Sequence, residues 1–208
     1  MDWYFDFVSP YAYLQSEIIE RVLAHAEVRP RPVLYAGLLA HFAHKGPAEI
    51  VPKRRHTYRQ VLWLAQRHGI ALRFPAAHPF NPLPLLRLAV ALGADHALVH
   101  TLFRFVWAEG HLPTEPAPWE ALNRSLGVDD PDAIIAEPGA KEQLRANTRE
   151  AIERGVFGVP TLAIDDELYW GFDATEMALA HLAGDAFFGS SEIERVGSLP
   201  EGVQRKRD

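Results

Sequence analysis

Met1-Asp-Trp-Tyr-Phe-Asp-Phe-Val-Ser-Pro-Tyr-Ala-Tyr-Leu14 is the stretch around which the chain is organised. Trp3 to Val8 are aromatic or β-branched apart from Asp6, a composition suited to a strand covered on both faces. Ser9 stops that strand. Pro10 starts a helix, because its φ is already set for a first helical turn and its missing N–H is one the helix does not use. Ser9 thus falls at an N-cap, where unpaired N–H groups collect and anions are favoured. The plain role for Ser9 is the cap itself, worth about 1 kcal/mol. Ala12 stands where a capping box needs Glu or Gln, so that motif is absent.

The 208 residues suffice for one large domain or for a domain with an inserted one. Hydrophobic residues make up 48%, enough for a full core. A net charge of −6 argues against a nucleic-acid binder driven by phosphate contacts. No apolar run is long enough to span a bilayer, so no membrane association is expected. Asp2 and Asp6 stand where a secretory signal would be basic and then apolar. Cysteine is absent, which excludes disulfides, thiolate metal sites and a cysteine nucleophile of the protein's own. A cytoplasmic enzyme is the resulting expectation. His41/His44 and His96/His100 have helical pair spacing, but no His-Glu-x-x-His or third ligand accompanies them, so no metal site is expected.

A helical stripe continues from Leu14 through Ile18, Ile19, Val22, Leu23 and Ala26, and Glu27–Pro30 breaks it. Arg31 to Ala36 reads as a second strand, parallel to the first through a right-handed crossover. Residues 37–155 read as an all-helical block: a short helix over Leu38–His44, a long one over Lys53–His68, and further helices over Leu85–Leu92, Asp95–Glu109 and Trp119–Leu126. Two more open at Asp130 and Pro138. The proline-rich segment Phe74–Pro84 interrupts them. Thr161–Ile164 is a strand, Asp165–Glu167 a hairpin turn, and Leu168–Trp170 the return strand. A closing helix covers Asp173–Ala183, followed by a peripheral tail.

The order is β-α-β, helical insertion, β-β-α. That arrangement is thioredoxin-like, with residues 1–36 and 156–184 as the discontinuous α/β domain, 37–155 inserted and 185–208 as tail. The redox Cys-x-x-Cys of that fold is replaced by Ser9-Pro10-Tyr11-Ala12. Val159-Pro160 falls where the fold carries a cis-proline opposite that motif. An ordinary trans turn is the alternative, since only about 5–6% of X–Pro bonds are cis.

Phe5-Asp-Phe-Val-Ser-Pro-Tyr-Ala-Tyr-Leu14, Gly155-Val-Phe-Gly-Val-Pro160 and Tyr169-Trp-Gly-Phe-Asp173 resemble the 2-hydroxychromene-2-carboxylate isomerases, which group with the kappa-class glutathione transferases. His78-Pro-Phe-Asn-Pro82 followed by Leu86-Arg87 is similar to bacterial members. The resemblance covers residues 3 to 183. It implies a glutathione-dependent, metal-free isomerase, expected as a homodimer. It also implies Ser9 as the catalytic hydroxyl beside the glutathione sulfur and Val159-Pro160 as the backbone partner of the cysteinyl part. Phe172-Asp173 would lie at the γ-glutamyl ammonium and Lys53 at the glycyl carboxylate. Ala174 departs from the family's Arg after that aspartate, and His44 falls where kappa enzymes have Asn.

Each residue has a plainer alternative. Asp173 can cap the closing helix. Lys53-Arg-Arg55 can be a solvated helix start, though cations there oppose the dipole. Asn81 and Arg87 are candidates for the substrate carboxylate. Trp63, Trp107, Trp119 and Trp170 read as core, with Trp170, beside Gly171, a possible pocket wall. Two other functions fit the same residues: a kappa-type glutathione transferase or peroxidase on another electrophile, and a cysteine-less thioredoxin-like binding module.

Overall fold

β1, Asp2–Phe5, is buried along its whole length. It pairs in parallel with β2, Arg29–Pro32, and antiparallel with β3, Thr161–Ile164. β3 pairs antiparallel with β4, Glu167–Trp170, so the sheet order is β2-β1-β3-β4. The coordinates come from a computed structural model that describes residues 1–203; the basic end Arg205–Asp208 lies outside them. The fold is the expected thioredoxin-like α/β arrangement with a helical insertion.

Alternation along β1 sets the two layers. Trp3 and Phe5 face a large core shared with the first and closing helices and much of the insertion, whereas Tyr4 faces a smaller one with Val33, Leu38, Ala151 and Val159. Two differences from the expected strands have local causes. β1 stops at Phe5 rather than Val8, because the Val8 N–H donates to Asp6 Oδ1 at 3.0 Å and turns the chain. β2 begins at Arg29, ahead of the expected Arg31–Ala36. Buried Asp2 draws in Arg29 at 3.1 Å and Arg31 at 3.2 Å, and β2's edge position tolerates Pro30 and Pro32.

α1, Pro10–Ser16, is shorter than the stripe implies. Ser16 donates its hydroxyl to the Tyr13 carbonyl at 2.7 Å, and a separate turn, α2 (Glu20–Leu23), follows. The insertion holds α3 (Tyr35–His41), α4 (Val51–His68), α5 (Leu83–Ala91), α6 (His96–Trp107), α7 (Pro116–Ser125), α8 (Pro131–Ala136) and α9 (Pro138–Glu153). α4, α5 and α7 begin earlier than expected because Pro52, Pro84, Pro116 and Pro118 lie inside their first turns, where proline is tolerated.

α10, Thr175–Leu182, closes the α/β unit. The tail is not featureless: a 3₁₀ turn at Ala186–Gly189 and α11, Ser191–Gly197, follow it. Phe188 stacks on His181 at 4.8 Å, and His181 is bonded to the Tyr169 hydroxyl at 2.6 Å. Among the described residues no helix is long and apolar enough to cross a membrane.

Candidate active site

Ser9 sits where β1's exit turn meets α1, and it caps that helix. Its Oγ accepts the Ala12 N–H at 3.2 Å. The same hydroxyl donates to the Val159 carbonyl at 3.4 Å, across 150 positions of sequence. The Val159–Pro160 bond is cis, and the Ser9–Val159 contact joins the β3 approach to the start of α1. Pro10 has no N–H and the Ala12 N–H is taken by the cap, so Tyr11 carries the remaining first-turn amide. With seven residues, α1 has a slight macrodipole. Any anion held here therefore depends on the hydroxyl and local amides.

Beneath this turn lies Asp6, fully buried. Its two carboxyl oxygens accept the Val8 N–H at 3.0 Å and the Tyr35 N–H at 2.9 Å. Burial pushes its pKa up to about 7, against the pull of those two N–H groups. Above it, the Phe7 carbonyl accepts the buried Trp107 indole N–H at 2.8 Å.

The loop after β4 forms the neighbouring wall. Asp173 is exposed and does not cap α10; Ala174 is the N-cap residue. Gly171 has φ +102, and a Cβ there would collide with the Asp173 carboxylate. Phe172 is buried against His68. The Gln15 amide fixes this loop from α1, donating to Thr175 Oγ1 at 2.9 Å while its oxygen accepts the Trp3 indole N–H at 2.7 Å. Half-buried Tyr11 spans the gap to α4: its hydroxyl donates to Gln60 at 2.7 Å, and its pKa is raised by burial and further by the Asp173 charge.

Trp170 is 51% exposed rather than core, stacks edge-on to Phe157 at 5.0 Å, and leaves no room for a Cβ at Gly158. Trp63 is also outside the core, 57% exposed on α4 under Arg67.

Other proposed residues lie further out. Lys53 is exposed on the first turn of α4. Asn81 accepts the Leu83 N–H at 3.1 Å, ahead of α5, and borders a cavity of about 180 Å³ with Trp119 and Asp132, which neither Ser9 nor Val159 lines. Arg87 is half-buried on α5, its Nε buried without a hydrogen-bond partner among the described residues. His96 and His100 point to different partners, the Val28 carbonyl and Glu17.

Sequence reasoning missed a polar cluster between α4 and the proline-rich segment. Tyr58 contacts His78, and Arg54 lies near enough to lower the pKa of both, secondary to burial, which raises Tyr58 and lowers His78. A second cis bond, His78–Pro79, occurs here. The signals in the sequence were the density of prolines over Phe74–Pro84 and the His78-Pro-Phe-Asn-Pro82 motif, neither of which points to Tyr58.

Residues 1–183 match the DSBA-like thioredoxin domain family. A 2-hydroxychromene-2-carboxylate isomerase of Pseudomonas putida is 30% identical, over 83% of this chain and 89% of its own length. A kappa 2 glutathione S-transferase of Caenorhabditis elegans is 28% identical over 79% of this chain and 80% of its own. Among solved structures, one of a 2-hydroxychromene-2-carboxylate isomerase superposes with a TM-score of 0.75 at 26% identity, covering 92% of this chain and 98% of that one.

Proposed function

Because the chain belongs to the DSBA-like thioredoxin domain family and its relatives include isomerases and kappa-class glutathione transferases, we propose that it is a glutathione-dependent isomerase that converts 2-hydroxychromene-2-carboxylate to trans-o-hydroxybenzylidenepyruvate. The observation that carries this reading is the Ser9 hydroxyl at 3.4 Å from the Val159 carbonyl, ahead of cis-Pro160, in a protein with no cysteine. A thioredoxin-like site that has lost its own sulfur can take one from a peptide.

In this proposal glutathione lies extended along Val159, its cysteinyl backbone pairing with the Val159 backbone as an added strand. Ser9 turns its O–H from the Val159 carbonyl to the sulfur. A free thiol with pKa near 8.5 is mostly protonated at neutral pH, and a donated hydroxyl with the Tyr11 amide favours its thiolate. Asp173 receives the γ-glutamyl ammonium, Phe172 backs it, and Lys53 meets the glycyl carboxylate. The hemiketal ring opens first: the bond from C2 to the ring oxygen breaks, its electron pair and the hemiketal proton go to the phenol oxygen, and C2 becomes a ketone conjugated with the C=C. The thiolate then adds to the benzylic carbon of that C=C, and the C=C electron pair moves into the ketone as an enolate. The remaining single bond rotates. Return of the electron pair expels the thiolate, so glutathione is not consumed. Arg87 is the proposed carboxylate partner and Trp170 the aromatic wall; Asn81, on a different cavity, has no part in this proposal. A homodimer is carried by the resemblance alone, and a cytoplasmic setting by the cysteine-free composition.

The kappa-class relatives favour one other reading, transfer of glutathione to a different electrophile. Turnover of 2-hydroxychromene-2-carboxylate, with and without glutathione, decides between them when set against chlorodinitrobenzene. Isomerisation that requires glutathione is expected. Conjugation of chlorodinitrobenzene without isomerisation would move the assignment to a transferase, and no saturable glutathione binding would leave only a binding module.

A further inference from the structure

The two peptide units that lead into Ser9 have all four of their polar groups held. In the Phe7–Val8 unit the carbonyl accepts from Trp107 Nε1 at 2.8 Å, and the N–H donates to Asp6 Oδ1 at 3.0 Å. In the Val8–Ser9 unit the N–H donates to the Asp6 carbonyl at 3.0 Å, and the Val8 carbonyl meets His78 Nε2 at 2.9 Å. A carbonyl only accepts, so Nε2 carries the proton. Trp107 and His78 both belong to the inserted helical block, on α6 and on the proline-rich segment before α5. The orientation of the Ser9 turn is therefore set partly from outside the α/β unit that contains it.

His78 is itself fixed. The Tyr58 hydroxyl lies 2.8 Å from Nδ1 and 2.9 Å from the His78 carbonyl oxygen. Its ring packs against Phe74, Phe80 and Trp107. We propose that His78, held by Tyr58, is a positioning residue: by fixing the Val8 carbonyl it fixes the plane of the Val8–Ser9 peptide and so the direction of the Ser9 hydroxyl. Its position shows why the proline-rich segment bears on this site without lining it. The proposal rests on the reading of Ser9 as the partner of the glutathione sulfur.

Two mechanisms predict different outcomes for His78→Leu and His78→Gln. Leucine fills much of the space and donates nothing, whereas glutamine places an amide N–H near the position of Nε2. Each variant, with Tyr58→Phe, is titrated with glutathione while the ultraviolet absorbance of the thiolate is followed against pH, and kcat and KM are measured for isomerisation. His78→Leu is expected to raise the pKa of the bound thiol and lower kcat by about 10- to 100-fold, because misplacement of a reacting group by an ångström has that order of effect. Glutathione KM should stay within about 3-fold, since the Val159 backbone pairing is untouched. His78→Gln should recover most of kcat, and Tyr58→Phe should fall between. If His78→Leu folds poorly, the Tyr58→Phe and His78→Gln pair still decides.

Wild-type kcat and thiol titration in His78→Leu or Tyr58→Phe would overturn the proposal. So would equal losses in the Gln and Leu variants tracking a lowered melting temperature, which would assign His78 to packing. A wild-type protein that shows no bound thiolate would overturn the Ser9 reading itself, and this inference with it.

Discussion

Ser9 performs two tasks that a single substitution separates. Ser9→Ala removes a cap worth about 1 kcal/mol and a hydroxyl donor whose loss, by analogy with an oxyanion donor, costs about 100-fold or more in kcat. The expected outcome is a folded protein, slightly less stable in urea, with isomerisation nearly abolished; activity within a factor of two of wild type would reduce Ser9 to a cap. Asp6 makes a pH prediction. Its folded-state pKa of about 7 lies above the ordinary 3.8, so the folded state holds the proton more tightly. The stability this gives is complete below the ordinary value and is lost as pH rises towards 7, by an amount on the order of a few kcal/mol. Glu17 runs the other way, its pKa lowered by His100 and Arg104 against burial, so its contribution fades on the acid side. Urea titrations between pH 4 and 7.5 should show stability falling with pH in the wild type, and Asp6→Asn should flatten that slope. Ser9 at an N-cap before Pro10 was legible in the sequence. The charge state of Asp6 was not, because nothing in Phe-Asp-Phe shows that the carboxyl is fully buried with only two backbone N–H groups to offset it.

Elements that carry the site are short, and their ends matter more than their middles. β1 and β3 were readable because their residues are apolar on both faces, and α1 because a proline opens it. The boundaries of α4, α5 and α7 were harder, since proline reads as a breaker unless its place in the first turn is known. The closing helix was expected from Asp173 and starts at Thr175 for a related reason: the chain makes one more turn, after Gly171 at φ +102, before α10 begins, so the alternative of Asp173 as its cap falls away. Between β3's approach and β4's end, Gly158 and Trp170 pack without room for a methyl group. Gly158→Ala should displace the indole or the Val159 backbone, weakening glutathione binding about 10-fold or more by titration calorimetry. Unchanged affinity would mean that Val159 does not pair with the tripeptide.

Across the whole molecule, one core joins what the chain order divides. Trp3, Phe5, Phe7 and Tyr13 of the α/β unit share a buried cluster with Val61, Leu86, Phe103, Trp107 and Leu144 of the insertion. The boundaries at 36/37 and 155/156 therefore describe topology, and we propose a single cooperative unfolding unit. Calorimetry should give one transition; two well-separated transitions would mean that the insertion is stable apart. The insertion was visible as a change in pattern, but its contact with Ser9 through Trp107 and His78 was not, because bonds spanning 100 and 70 positions leave no local trace. The same limit applies to Asn81, whose side chain borders a different cavity. The most direct test of the whole reading is a crystal structure with glutathione bound. Its sulfur should lie within about 3.5 Å of Ser9 Oγ, with the cysteinyl backbone paired to Val159. A tripeptide bound elsewhere, or with its sulfur turned away from that hydroxyl, would contradict it.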